Sequence, residues 1–177
     1  MRGHRMRVVD DAGHDAPQGE VGELVVKGPG VMRGYHGKDD ATAEAMLPGG
    51  WLRTGDLARL RRFGFLEFAG RKKDVVKHGG YSVFAVEVEA VLNQHPAVAE
   101  SAVLGLADER KGEVPVAVVR LKPGASLQPG ELISWAGQRL SDYKVPQQVR
   151  IVDELPRTGT EKVQKSELRR LFDPAAT

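Results

Sequence analysis

The sequence predicts an α+β chain in two parts, a β-rich segment over residues 1–72 and a smaller mixed α/β segment over residues 73–177. Three observations carry that expectation. Short β-prone runs parted by turn-forming residues fill the first part. In the second part, such runs alternate with stretches of helical spacing. The change falls across the polar run Arg71-Lys72-Lys73-Asp74, which reads as the boundary.

Taken in order, residues 5–9 and 22–27 read as strands, separated by Asp10-Asp11-Ala12-Gly13 and Pro17-Gln18-Gly19, residues that supply turns and positive φ angles. Residues 38–46 lack glycine and proline and read as a short helix, with Asp39 or Asp40 as its cap and Pro48-Gly49-Gly50 as its stop. Apolar residues on both sides of Phe63-Gly64 make residues 57–68 a β-hairpin. Val86, Val88, Val91 and Leu92 partly follow helical spacing. Glu87 and Glu89 lie early there, where carboxylates favour the helix dipole, and Pro96 marks the end. Residues 98–106 and 114–121 then read as strands, 129–140 as a helix, 147–152 as a strand and 166–172 as a last helix.

A chain of 177 residues with 41% hydrophobic content can bury a core. Its 26 basic residues against 24 acidic ones leave a net charge of +2, too weak a field to imply a nucleic-acid partner. Cysteine is absent, which removes disulfides, thiolate nucleophiles and cysteine-ligated zinc, and fits a reducing, cytoplasmic setting. His78 has no partner at metal-ligand spacing and reads as an exposed loop residue, so no metal site is expected. The basic start has no apolar run behind it, and no stretch of eighteen apolar residues occurs, so a soluble protein without a membrane span is expected.

Four places could carry chemistry. Asp56 follows Gly55 at the expected end of a strand, where its carboxylate can accept two hydroxyl hydrogen bonds, as from a ribose. A turn aspartate satisfying its own backbone is the competing account. Arg71, Lys72 and Lys73 put three cations beside Asp74, and an arginine fork can hold a phosphate or a diol; a solvated charged linker reads the same way. Gly79 and Gly80 let the backbone turn tightly or lie close against a ligand, and a plain hairpin turn accounts for them equally well. The loop from Pro156 to Lys162 could present Lys162 as a mobile point charge to an anion, against the alternative of an ordinary surface loop.

In order and spacing these stretches resemble the shared motifs of the adenylate-forming superfamily, in particular the carboxyl-terminal part of AMP-forming acyl-CoA synthetases. The resemblance rests on Gly22-Glu23-Leu24-Val25-Val26 through Gly34-Tyr35 and on Arg53-Thr54-Gly55-Asp56. It continues in Gly70-Arg71-Lys72-Lys73-Asp74 with Gly79-Gly80 and Glu87-Val88-Glu89, and in Pro156-Arg157-Thr158 through Lys162. It implies that a carboxylic acid reacts with ATP to give an acyl-adenylate, after which the thiol of CoA displaces AMP. On that resemblance Asp56 and Arg71 would bind the nucleotide, Lys73 would be the hinge, and Lys162 would be the catalytic cation of adenylation. Gly79 and Gly80 would line the CoA path. Residues 1–72 would end the large adenylation domain, and residues 73–177 would form the mobile carboxyl-terminal lid. Magnesium would accompany ATP, with its ligands outside this chain.

Two residues depart from the pattern. Glu161 stands where the family usually has glycine, and Ala85 stands where a proline is common. The phosphate loop and acid pocket of such enzymes are not in the sequence, so the resemblance implies a fragment, inactive alone, that partners a missing amino-terminal domain. Two rival expectations stand beside it. One is a self-standing, non-catalytic module that binds a nucleotide, CoA or a protein, and the other is a peptide-synthetase-type domain that uses a carrier protein in place of free CoA.

Overall fold

The computed structural model describes residues 3–172, and its backbone contacts divide the chain into two compact units, Met1–Lys73 and Asp74–Thr177.

The first unit is a five-stranded antiparallel sheet. Strand β1 (Arg5–Val9) pairs with β2 (Val21–Lys27), and β2 pairs with β4 (Trp51–Leu60). The short β3 (Met46–Leu47) and β5 (Leu66–Arg71) both pair with β4. Val9 and Val25 are fully buried, and the alternation of β2 sends Glu23 to the interior with Val25. The β4–β5 hairpin turns through Phe63 and Gly64, both at positive φ, and its apolar tip faces outward: Phe63 is 92% exposed.

Helix α1 (Asp39–Ala45) starts one residue after Lys38, and no side chain caps it. The expected caps, Asp39 and Asp40, lie inside its first turn, so they serve the dipole instead. Thr42 fixes this end: its hydroxyl donates to the Lys38 carbonyl and accepts from the Tyr35 amide, each at 2.9 Å.

The second unit is also built on five strands. Strands β6 (Val75–His78) and β7 (Tyr81–Phe84) form a hairpin, and β8 (Val98–Asp108) and β9 (Gly112–Leu121) form a longer one. Strand β10 (Gln148–Val152) returns parallel to β9. Helix α2 (Ala85–Leu92) buries Ala85, Val88 and Leu92, and helix α3 (Pro129–Gly137) buries Leu132 and Ala136. Both pack on the sheet face that carries Val103, Ala117 and Val119. The opposite face, with Leu104, Val116 and Val118, is covered by Leu168 of α4 (Lys165–Leu168) and by Val163 and Phe172. Cover on both faces explains why β9 is apolar almost throughout instead of alternating.

The two larger helices start differently, α3 with a capping box and α2 after Phe84 with no side-chain cap. Gln128 and Glu131 form a capping box around Pro129 at the first position of α3. Ala85 occupies the equivalent first position of α2, where a proline is well tolerated, so its presence leaves the helix intact.

Candidate functional site

In the first unit, Asp56 is set by an irregularity in β4. Opposite β2, Arg53 pairs with Val25 and Leu57 with Glu23, so Thr54, Gly55 and Asp56 bulge against the single residue Leu24. Gly55 adopts φ 73°, which a residue with a Cβ reaches only at a cost. The expected strand end at Asp56 is therefore corrected: the strand runs on to Leu60, and the bulge absorbs the glycine and re-aims the carboxylate. The Thr54 hydroxyl donates to the Leu24 carbonyl at 2.7 Å and accepts the Asp56 amide at 3.1 Å.

Asp56 lies directly across from Arg71 on β5, and the guanidinium Nε is 3.3 Å from Oδ1. Both side chains are partly exposed. The ion pair is weak at such exposure, and its geometry leaves both groups facing solvent for a ligand. Arg71 also lines a cleft of about 520 Å³ with Thr54, Gly55, Lys72 and Lys73, a volume within the range of small-molecule sites. Lys73 is the last residue of the first unit, in a 3₁₀ turn over Lys72–Asp74.

Beneath this pair sits a residue that the site reading of the sequence passed over. Glu23 is 5% exposed and accepts from three directions: Arg53 Nη1 at 2.6 Å, the Gly55 amide at 3.3 Å and Lys72 Nζ at 3.3 Å. One carboxylate thus ties β2 to the bulge and to the residue before Lys73. Lys72 also donates to Asp11 at 2.8 Å. That bond, followed by its contact with Glu23, raises the Lys72 pKa above its ordinary value. The signal for Glu23 was present: it falls on the same side of the strand as Val25, where an unpaired charge is not tolerated.

In the second unit, Gly79 and Gly80 form the β6–β7 turn at φ 55° and 85°, the pair of positive angles of a type I′ hairpin. A Cβ added at Gly80 would meet no atom within 4 Å, so the turn is open on that side. Tyr81 stacks on Tyr143 at 4.5 Å between ring centres, and the Gly79 amide donates to the Lys111 carbonyl at 2.8 Å. The Lys111 turn is held by Asp108, whose carboxylate accepts the Lys111 and Arg110 amides and is thereby kept below its ordinary pKa.

The expectation for His78 is overturned. It is 6% exposed on β6, on the same side of the strand as buried Val76, with Nδ1 2.7 Å from the Glu113 carbonyl. A carbonyl only accepts, so Nδ1 carries the proton, and that bond satisfies the ring inside the fold.

Lys162 is exposed on a small hairpin between β10 and α4, a different loop from the Gly79-Gly80 turn. The Thr158 amide donates to the Lys162 carbonyl at 2.8 Å, and the Glu161 amide donates to the Thr158 carbonyl at 2.9 Å. Glu161 takes φ 62°, the left-handed region that a three-residue hairpin loop demands at this position. Glycine would occupy it without strain. Among the described residues, no group of three or more His, Asp or Glu side chains is arranged to hold a metal ion. No helix among them is long and apolar enough to cross a membrane.

Comparison with known proteins defines the class. The model for the AMP-binding enzyme C-terminal domain matches residues 87–162, and the AMP-binding enzyme model matches residues 1–36. The chain belongs to the AMP-binding, adenylate-forming enzyme family and represents the carboxyl-terminal portion of its members. A 2-succinylbenzoate–CoA ligase of Geobacillus kaustophilus is 46% identical over 160 residues, covering 90% of this chain and 32% of the relative. A feruloyl-CoA synthase of Amycolatopsis is 42% identical, over 94% of this chain and 34% of the relative. ATP-bound MatB from Rhodopseudomonas palustris superposes with TM-score 0.93 at 34% identity, over all of this chain and 35% of that one. The chain thus spans about a third of the length of the curated relatives it matches. Asp56, Arg71, Lys73, Gly79 and Gly80 fall between the two matched segments, and Lys162 is the last residue of the second.

Proposed function

We propose that this chain is the carboxyl-terminal portion of a cytoplasmic acid–CoA ligase, in which a carboxylate oxygen attacks the α-phosphorus of ATP and expels pyrophosphate. The sulfur of CoA then attacks the acyl carbon, the bond to AMP breaks, and the thiol proton leaves to solvent. Asp56 accepts the ribose hydroxyls and Arg71 contacts the same nucleotide. Lys162 carries an ammonium to the carboxylate and α-phosphate, where a fixed charge lowers the cost of bringing two anions together. The Gly79-Gly80 turn takes over in the thioester step, its missing side chains leaving room for the pantetheine arm. Residues 1–72 close the large domain, residues 73–177 act as a lid turning at Lys73, and the remaining substrate groups belong to an amino-terminal portion.

The observation that carries this reading is the cross-strand pair Asp56–Arg71, half-exposed beside a bulge built around Gly55. The acid is left open. Relatives of similar identity are named for acids as unlike as 2-succinylbenzoate, ferulate, indoleacetate and long-chain fatty acids. This third of the protein therefore does not discriminate among them. The test is acid-dependent pyrophosphate release. In the full-length protein, Asp56→Ala should raise KM for ATP roughly tenfold or more while KM for the acid stays within about twofold. An unchanged KM for ATP would remove Asp56 from the nucleotide, and turnover by the 177-residue chain alone would overturn its dependence on an amino-terminal portion.

A further inference from the structure

The loop that carries Lys162 has a brace which the reading above does not use. Arg157 stands at the foot of the hairpin, paired with Val163 across it. Its guanidinium forks. Nη1 donates to the Glu161 carbonyl at 2.8 Å, and Nη2 to Glu100 Oε2 at 2.5 Å. Glu100 belongs to β8, the central hairpin of the unit, and also lies 3.8 Å from Arg120. A continuous path therefore runs from the sheet through Glu100 and Arg157 to the peptide group joining Glu161 to Lys162.

That peptide group is the strained one, because Glu161 holds φ 62° with a Cβ. The loop closure sets φ at Glu161, and without a grip on its carbonyl the peptide that aims Lys162 would be free to rock about the next bond, ψ of Glu161. The bonds from the Thr158, Glu161 and Gln164 amides and the contact between the Thr158 and Thr160 hydroxyls run within the hairpin and do not tie it to the sheet.

We propose that Arg157 is a positioning residue for the ammonium of Lys162, acting through the Glu161 carbonyl and anchored by Glu100. The inference rests on Lys162 serving adenylation, and it makes that service depend on a side chain that touches no substrate. A planar fork suits the task, since one cation must hold a carbonyl and a carboxylate at once.

The test separates the two half-reactions in the full-length protein. Arg157→Met should slow adenylate formation roughly tenfold, the scale of one lost charged hydrogen bond, and leave CoA attack on supplied acyl-adenylate within about twofold. Glu100→Gln should repeat the pattern more weakly. In the Lys162→Ala background, Arg157→Met should cost nothing further, since it acts through the lysine. Equal losses in both half-reactions would mark a merely structural role and overturn the proposal, as would an adenylation rate unchanged by Arg157→Met with Lys162 in place while Lys162→Ala alone slows it. Indifference of adenylation to Lys162→Ala itself would instead remove the lysine reading, and this inference with it. If Arg157→Met folds poorly, Arg157→Lys serves in its place: it retains one contact of the fork, so it should show an intermediate loss confined to adenylation.

Discussion

Replacing Glu23 by glutamine tests the brace beneath Asp56 with almost no change of shape. Both carboxylate oxygens accept: Oε1 faces the Gly55 amide, while Oε2 faces Arg53 and Lys72. An amide has one acceptor oxygen, so in either orientation its NH2 group meets a donor. If the oxygen stays with the cations, the Gly55 contact is lost; if it turns away, Arg53, only 22% exposed, loses its anion. A hydrogen bond to a charged group contributes about 1.5–3 kcal/mol, and the half-exposed Lys72 contact adds little, which sets the expected loss at about 2–3 kcal/mol. Trp51 lies on β4 of the first unit and Trp135 on α3 of the second, so urea unfolding followed by fluorescence in a Trp135→Phe background reports on the first unit. With a slope of about 1–3 kcal/mol per molar urea, the midpoint should fall by roughly 1 M. A loss below about 0.5 kcal/mol, ordinary for a surface substitution, would show that the carboxylate braces nothing.

Two more outcomes follow from the second unit. Gly80→Leu meets open space but a φ of 85°, so the fold should survive while CoA attack slows at least tenfold and adenylation stays within about twofold; a normal thioester rate would place the CoA path elsewhere. Asp108 titrates below its ordinary range because it accepts two backbone amides, so its stabilising effect is complete above about pH 4–5 and disappears as pH falls through its depressed folded value. The stability advantage of the parent over Asp108→Asn, measured by denaturation from pH 6 downward, should therefore shrink toward zero in acid, and a constant difference would refute the assignment.

Periodicity and turn chemistry made most of the fold legible, because strands as apolar as β9 and turns as marked as Gly79-Gly80 declare themselves locally. The candidate at Asp56 was legible for a similar reason, a carboxylate set directly after glycine. What stayed hidden depended on pairing across the chain. The bulge at residues 54–56 exists only because β2 lies alongside, so the strand read as ending where it merely kinks. His78 read as a loop residue because its acceptor, the Glu113 carbonyl, lies thirty-five residues away in sequence. Glu89 read as a dipole partner, yet its carboxylate takes the Val103 amide at 2.8 Å and Lys165 at 2.9 Å, tying α2 and α4 to β8.

The parallel return of β10 bears on how the second unit is made. Until residues 148–152 leave the ribosome, the edge of β9 that they cover, Val116 to Arg120, shows a row of unsatisfied amides and carbonyls on an almost wholly apolar strand. Such an edge recruits other strands, including those of neighbouring nascent chains. This last strand of the second unit therefore acts as a seal, and a message truncated before Gln148 would yield a sticky product as well as one lacking Lys162.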